Sequence, residues 1–385
     1  MLTTFRLRVF LMIILAVSIS SQCAQAQDGA PTLSQEELIK MVIELRDRVT
    51  ELEDRLKEQG SQSEASITTE PATASVKSSA ESTPKADPSQ FKLYWKDGIR
   101  FDTEDGRFKL KLSGRIQNDW AWFDDSSELK SAFGDLEDGT EFRRTRLSIG
   151  GTIFNDFEFK SQYDFADGSA KFKDMYVAIK NLPAVGRLSI GHFKEPFGLN
   201  MNTSSKYISF MERSQPSETF APGRNTGIML NNAVLDKRMT WAAGVFRSTD
   251  DFGAGSDDGG YNVTARVTGL PWYKEEGAKL VHLGAAFSHR NIDGDLELSS
   301  RPEAHLAEKY LDTGTFNADD VNLFSHELVV KYKSGWFQAE RFAMHVDTNG
   351  LGDRDFDGFY LQGGFFFTGE EKPYDASKGV WGRLR

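Results

Sequence analysis

Apolar and polar residues alternate over most of this chain, and this alternation limits its possible folds more than any other feature. In residues 141–165, EFRRTRLSIGGTIFNDFEFKSQYDF, Leu147 and Ile149 share one face of an extended backbone, and Arg144 and Arg146 share the other. A hydrophobic period of two predicts β-strands. The pattern continues in further segments towards the C-terminus, so the sequence predicts an all-β fold.

One face of these predicted strands is rich in aromatic residues, and the opposite face is rich in charged residues. Such a sheet is stable when its apolar face meets lipid and its charged face meets water, and a closed barrel achieves this without unpaired backbone groups. A soluble β-sandwich also alternates, but it needs two apolar faces packed on each other. Short turns alternate here with long polar loops, which favours a transmembrane antiparallel β-barrel.

Composition argues against several other classes. Only 39% of the 385 residues are hydrophobic, and strands do not alternate with amphipathic helices, which disfavours doubly wound and barrel enzyme folds. The net charge of -11 gives no support to a nucleic-acid partner. The sequence contains no nucleophile elbow, no phosphate-cradling glycine loop and no HExxH motif. We therefore expect no enzymatic activity and no cofactor.

A possible metal motif is also rejected. The stretch DRDFDG places Asp353, Asp355 and Asp357 at calcium-loop spacing, but the twelfth position of such a loop is Gly364 instead of glutamate. The six histidines show no metal-binding spacing. The sequence therefore predicts no metal site, and DRDFDG is interpreted as a loop tip.

The N-terminus has the pattern of an export signal. Two arginines precede the short apolar run VFLMIILAV, and Ala24 and Ala26 fit a small-residue cleavage site. The apolar run is short for a membrane-spanning anchor. We predict that residues 1–26 form a signal peptide that is cleaved after Ala26.

A helix and a linker are predicted to follow. Residues 34–59 contain a heptad repeat of leucines, namely Leu38, Leu45 and Leu52. Valines are found in the second seam of this repeat. This pattern favours a short parallel coiled coil with two or three strands, although a single amphipathic helix remains an alternative. Residues 60–90 are rich in Ser, Thr, Ala, Pro and Glu, which predicts a disordered linker. The folded β-domain then covers residues 91–385.

Several long motifs resemble one known family. They are EFRRTRLSIGGTIFNDFEFKSQYDFADG, VGRLSIGHFKEPFGLN, SSKYISFMERSQPSETFAPGRNTGIML, MTWAAGVF and FDGFYLQGGFFFTGEEKPYD. The chain resembles the phosphate-selective porin O/P family of Gram-negative outer membranes. The resemblance implies a sixteen-stranded antiparallel barrel in outer-membrane lipid, usually a homotrimer, through which anions such as phosphate diffuse.

Strand parity identifies candidates for a path of anions through the lumen. The basic residues on the predicted lumen face include Lys109, Lys111, Arg115, Arg144, Arg146, Lys160, Arg187, Arg266 and Lys331. The resemblance implies that the segment 194–224 folds inward and narrows the pore, and Lys206, Arg213 and Arg224 lie in this segment. A cationic wall lowers the barrier for anions, and guanidinium groups bind phosphate oxygens bidentately. Acidic residues share the same strands, so the pattern favours anions without singling out phosphate.

The C-terminus differs from that of a complete barrel. About twelve strands are predicted between Arg107 and Gly369, whereas the resemblance implies sixteen, and the chain ends on the basic, loop-like stretch ASKGVWGRLR. We expect the barrel to be truncated at its C-terminus. The alternative is a smaller barrel in which residues 359–369 pair with the strand that begins at Arg107.

Three functions remain open from the sequence. The first is a passive porin that prefers anions and that has phosphate or polyphosphate as possible solutes. The second is a structural outer-membrane barrel whose coiled coil contacts the periplasm or the cell wall. The third is an outer-membrane barrel enzyme, for which no serine and histidine can be paired in the sequence.

The coiled coil leads to the first testable prediction. Replacing Leu45 and Leu52 by aspartate places charges in the helical seam, so cross-linking of a peptide of residues 27–90 is expected to fall. The β-domain is expected to keep its fold in the full chain, because the linker separates the two parts. Unchanged cross-linking of the double variant would rule out the coiled coil.

Overall fold

The computed structural model describes most of the chain beyond its first 90 residues. The described residues are 91–124, 126–134, 136–255, 260–348, 350 and 352–384. The predicted signal peptide, coiled coil and linker lie outside them and stay predictions. Among the described residues, no helix has the length and apolar character needed to cross a membrane.

The described residues form an all-β fold, as the sequence predicts. Fourteen strands make one sheet, and each pairs antiparallel with its neighbours in chain order. These strands are β1 (Phe91–Trp95), β2 (Ile99–Thr103), β3 (Phe108–Ala121), β4 (Gly139–Ile153), β5 (Phe157–Asp164), β6 (Lys171–Leu182), β7 (Gly186–Lys194), β8 (Arg224–Val234), β9 (Met239–Arg247), β10 (Asn262–Lys274), β11 (Lys279–Leu296), β14 (Phe316–Tyr332), β15 (Gly335–Asp347) and β16 (Arg354–Phe365). The others are two short pairs, β12 (Ser299–Ser300) with β13 (Leu311–Asp312) and β17 (Tyr374–Asp375) with β18 (Val380–Trp381).

Short helices lie in the connections. They are α1 (Ser127–Phe133), α2 (Leu199–Asn202), α3 (Gln215–Phe220) and a 3-10 turn at Glu275–Gly277. Tight turns such as residues 154–156 and 333–334 occupy one end of the sheet, and longer loops such as 195–223 and 297–315 occupy the other. The last of these loops connects Leu296 of β11 to Phe316 of β14.

The sheet contains the expected strands and two more, and it is open. Twelve strands of the sheet lie between Arg107 and Gly369, and the hairpin of β1 and β2 before them brings the sheet to fourteen. Within the described residues, β1 pairs only with β2 and β16 only with β15, so the sheet is not closed on itself. The alternative smaller barrel is wrong, because β2 and β4 already occupy both edges of β3.

The two faces of the sheet carry the predicted side chains. On β4, Leu147 is 42% exposed and belongs to an apolar outer face, whereas Arg144 is 2% exposed and points to the opposite, inner face. The inner face is the one covered by two inserted segments, residues 195–223 and 366–384. Because successive side chains of a strand point to opposite sides, the alternation read from the sequence determines which side chains meet these segments.

The first inserted segment, residues 195–223, shows that the sheet is strongly curved. Its Glu212 pairs with Arg144 of β4, while its Phe220 stacks on Phe342 of β15 at a centroid distance of 6.2 Å. Strands β4 and β15 are nine places apart in the sheet, which corresponds to roughly 40 Å in a flat sheet. The sheet must therefore curl around this loop.

One end of the loop is fixed by a buried carboxylate of β15. The backbone N–H groups of Leu199 and Asn200 donate to the two oxygens of Glu340 at 2.6 and 2.8 Å, and the Tyr360 hydroxyl donates to the same carboxylate. These contacts satisfy free N–H groups at the start of α2. The buried carboxyl group of Glu340 and the helix start therefore stabilise each other.

The other end of the loop is fixed by Glu212. Its two carboxylate oxygens accept from Arg143 Nε at 2.8 Å and from Arg144 Nη2 at 2.7 Å. Burial opposes ionisation of Glu212, but the Arg144 hydrogen bond and the charges of both guanidiniums outweigh it and lower the pKa of this carboxyl. The carboxylate is therefore the stable form at neutral pH.

The second inserted segment, residues 366–384, also packs on the inner face. Trp381 is 2% exposed and belongs to a cluster with Leu199, Leu280 and Trp336. Its indole N–H donates to Gln338 Oε1 at 2.6 Å. The sequence predicts a loop-like stretch here, whereas the tryptophan fills a buried site between the loop and the wall.

The close approach of β3 and β4 gives a prediction about stability. A Cβ added to Gly151 would overlap the carbonyl oxygen of Lys109 on the neighbouring strand. Gly151→Ala is therefore expected to lower the free energy of unfolding by about 1–3 kcal/mol, the usual cost of overpacking, as measured by urea unfolding in detergent. In the control Gly335→Ala the new methyl group would lie 3.5 Å from its nearest neighbour, Phe365, so equal losses in the two variants would contradict this account.

The anchor at Glu212 gives a second prediction. Glu212→Gln leaves two guanidiniums without their countercharge, so tryptic cleavage after Lys206 and Arg213 is expected to become faster than in the wild type. Because the pKa of Glu212 is lowered, the stabilisation from the anchor is complete above the ordinary glutamate pKa of about 4.3 and is lost as the pH falls further, through the lower pKa of Glu212 in the folded protein. Glu218→Gln is the matched control, since the Glu218 side chain is 42% exposed and its loss is expected to have a smaller effect. Identical cleavage rates for wild type and Glu212→Gln would refute the anchor.

Candidate functional site

A cavity rich in basic side chains lies between the inner face of the sheet and the loop 195–223. Its volume is about 520 Å³, and of its 26 lining residues twelve are Lys or Arg and two are Asp or Glu. Strands β3 to β8 supply its wall, and residues 202–218 of the loop supply the side that faces the wall. This excess of basic residues makes the cavity the main candidate for a functional site.

Most of the residues selected from the sequence meet at this cavity. Eight of the twelve candidates line it: Arg115, Arg144, Arg146, Lys160, Arg187, Lys206, Arg213 and Arg224. The strand residues reach the cavity because their side chains share the inner face. Lys206 and Arg213 reach it because the loop folds back onto that face, and Arg224 reaches it from the start of β8, where the loop ends. The sequence therefore predicted the location of most of these side chains.

Carboxylates compensate most of these charges. Arg146 pairs with Asp164 at 2.6 Å, Arg187 with Glu158 at 3.0 Å, and Arg213 with Glu218 at 3.3 Å. Two further cations, Lys160 and Arg224, share Asp174, and Arg144 is engaged by Glu212. These pairs fix the geometry of the wall, but they reduce the positive potential inside the cavity.

Four cations of the cavity have no carboxylate partner among the described residues, namely Arg115, Lys173, Lys194 and Lys206. Lys194 donates instead to a backbone carbonyl of the loop, whereas Arg115 Nη2 donates at 2.9 Å to the hydroxyl of Ser205, the residue before Lys206. Burial, together with the positive charges of Lys111 and Arg115, lowers the pKa of Lys206. An anion placed here would relieve this repulsion, so the cavity contains one region of uncompensated positive charge.

Four candidates lie outside the cavity. Lys109 and Lys111 occupy the part of β3 that is closer to the tight turns. Arg266 forms a bidentate pair with Glu327, at 2.7 and 2.6 Å, and also donates to carbonyl oxygens of residues 378 and 379. Lys331 donates to the Gly277 carbonyl at 2.8 Å and to Glu371 at 3.1 Å. Arg266 and Lys331 therefore hold the segment 366–384 instead of lining the cavity.

Four basic residues of the lining were missed by the sequence analysis: Arg143, Lys173, Lys194 and Lys378. The register of β3 and β4 shifts between Gln117 and Asp119, opposite Arg143, and the register of β5 and β6 shifts next to Lys173. A bulge places two residues opposite one and changes which side chain points inward. Simple alternation contains no signal for such a shift.

A group of side chains outside the cavity has the ligand types of a metal site. Potential ligand atoms of His345, Asp347 and Asp353 lie within 4.8 Å of one another. The imidazole already bonds to Asp355 at 2.7 Å and to Asp347 at 3.3 Å. These contacts form a surface ion-pair cluster at the loop end of β15, and this cluster accounts for the arrangement of the three side chains.

Comparisons with known proteins agree with this geometry. The family described as "Phosphate-selective porin O and P" matches residues 110–382, which contain the whole cavity lining. Porin O of Pseudomonas aeruginosa is 25% identical over 311 residues, covering 72% of this chain and 69% of that protein.

A loop L8 deletion mutant of OmpT, an outer membrane protein of Vibrio cholerae, is also matched among solved structures. It is 11% identical, its TM-score is 0.36, and the match covers 68% of this chain and 89% of that one. The family match covers well over half of the chain and includes the strands and the loop that build the cavity. The chain therefore belongs to the phosphate-selective porin O and P family, and it is an outer-membrane porin, a channel protein rather than an enzyme.

Proposed function

We propose that this porin conducts small anions in preference to cations and that the cavity beside loop 195–223 is the selective part of the pathway. The observation that carries the proposal is the region of uncompensated positive charge at Arg115 and Lys206, within a cavity lining of twelve basic and two acidic side chains. A low-dielectric wall that carries charge of one sign concentrates ions of the opposite sign. The same wall repels cations, so one arrangement accounts for both parts of the preference.

Within the cavity, the side chains divide into two roles. The ion pairs, such as Arg146 with Asp164, hold the wall in place, whereas Arg115 and Lys206 offer positive charge to a passing solute. The Ser205 hydroxyl beside Arg115 is a further polar group within reach of an oxyanion. Conduction needs several sites of moderate affinity, because an anion held by one strong site would leave slowly.

Inorganic phosphate is the first solute to test. The family and the relative from Pseudomonas aeruginosa are porins, and the family is named for phosphate selectivity. A guanidinium such as that of Arg115 can donate two parallel hydrogen bonds to phosphate oxygens, which chloride cannot match. Longer polyphosphates present the same oxygens and are the next solutes in this series.

The proposal extends to the assembly. The mature chain begins after Ala26. The sheet becomes part of a closed barrel in outer-membrane lipid, because hydrocarbon disfavours free edges such as those of β1 and β16. The barrel assembles as a homotrimer, and residues 34–59 form a coiled coil that reaches towards the periplasm or the cell wall. The heptad repeat and the family membership support this part of the proposal.

The proposal is tested by reversal potentials in a salt gradient. Removing both charges in Arg115→Gln/Lys206→Gln is expected to lower the ratio of anion to cation permeability by about fivefold per charge, since a unit charge about 4 Å away is worth about 1 kcal/mol in water. Lys109→Gln removes a charge from the same strand outside the cavity, and it is expected to have a smaller effect. Equal reversal potentials for wild type and double variant would overturn the assignment. Block of the chloride current by added phosphate tests the choice of solute.

A further inference from the structure

One buried lysine connects the two segments that cover the inner face. Lys372 lies in the segment 366–384 and is 6% exposed. Its ammonium nitrogen is 3.5 Å from the centroid of the Trp336 ring and 4.5 Å from that of Trp381. The same nitrogen donates to the Ser209 hydroxyl of the loop at 2.6 Å. A single side chain thus contacts the wall, its own segment and the loop.

The surroundings of Lys372 differ from those of the cations in the cavity. Among the described residues, no carboxylate pairs with it, since the neighbouring Glu371 is engaged by Lys331. Two aromatic faces and one hydroxyl replace the countercharge. Burial lowers the pKa of Lys372 to about 7, which reflects the cost of enclosing an ammonium group in this way. Such a costly arrangement needs a compensating role.

The contact has a direct consequence for the candidate anion pathway. Ser209 lies three residues after Lys206 and four after Ser205, and both of these residues line the cavity. A second contact joins the same two segments, because the Trp381 backbone N–H donates to the Thr203 hydroxyl at 3.4 Å. The stretch 203–209, which holds the uncompensated charge of the loop, is therefore bounded by two contacts with the segment 366–384.

We propose that Lys372 is a positioning residue for conduction, which holds the stretch 203–209 of the constriction loop against the segment 366–384 and so sets the width of the pathway at Lys206. The role rests on the proposed pathway through this cavity. Glu212 holds the loop from β4 and Glu340 holds it from β15. Lys372 supplies a third attachment, which originates in the segment that follows β16.

Three variants test the contact. Lys372→Met keeps most of the apolar stem and removes the charge and the donor, so single-channel conductance and current noise are expected to rise above those of the wild type. Lys372→Arg keeps both a cation and donors for the hydroxyl, and it is expected to restore the wild-type conductance. Lys274→Met, which removes an exposed lysine at the tight-turn end of the sheet, is the matched control and is expected to conduct like the wild type.

A double-variant cycle separates the contact from general packing. Ser209→Ala removes the acceptor alone, and its effect on conductance is expected to be small once Lys372 is already methionine. Fully additive effects of the two changes, or a wild-type conductance for Lys372→Met, would overturn the proposal. Failure of Lys372→Arg to restore the conductance would also overturn it, because a role in packing alone would follow the shape of the side chain and not its donors.

A protease assay gives a readout that does not depend on ion preference. Tryptic cleavage after Lys206 in the folded protein is expected to be faster for Lys372→Met than for the wild type and for Lys274→Met. Faster cleavage without any anion preference would support the positioning role and reject the proposed selectivity. Anion preference with unchanged cleavage and unchanged conductance would do the opposite, and far-UV circular dichroism shows whether each variant is folded.

Discussion

The charged inner face of the sheet constrains the rest of the structure. Half of the side chains of each long strand point to this face, and many of them are ionised groups that need water, a hydrogen-bond partner or a countercharge. The loop 195–223 and the segment 366–384 supply such partners while they occupy the space. Glu340 accepts from two backbone N–H groups of the loop, and Arg266 pairs with Glu327 beneath the segment. The inserted segments are therefore held by polar contacts in which charged side chains of the wall take part, and apolar packing adds to them.

Net charge and local charge give different information about this protein. The whole chain carries a formal charge of -11, which by itself would not suggest attraction of anions. Salt screens exposed charges over about 8 Å at physiological ionic strength, so a solute in the cavity responds mainly to the side chains of the lining. There twelve basic residues face two acidic ones, and even after pairing with nearby carboxylates Arg115 and Lys206 keep uncompensated positive charge. Sequence-wide counts average over surfaces that a permeating ion never meets.

The sequence predicted the faces of the strands better than the surroundings of the side chains on them. Alternation placed Arg144 and Leu147 of β4 on opposite faces, and the structure shows the same division. It failed near Arg143 and Lys173, where bulges shift the register. It also could not show that Arg266 and Lys331 are covered by a segment distant in the chain, because parity gives the direction of a side chain but not what packs over it. The burial of Trp381 was missed for the same reason.

The loop that narrows the cavity is held in part by its own main chain. Arg213 donates to the carbonyl oxygen of Asn200 at 3.0 Å and to that of Thr203 at 3.1 Å, and Lys194 also donates to the Thr203 carbonyl, at 3.2 Å. Every residue type carries a carbonyl group, so these attachments do not depend on which side chains occupy positions 200 and 203. Side chains at these positions can therefore change while the loop keeps its path along the inner face of the sheet. On the proposed pathway, a change in solute preference would then need few compensating changes elsewhere.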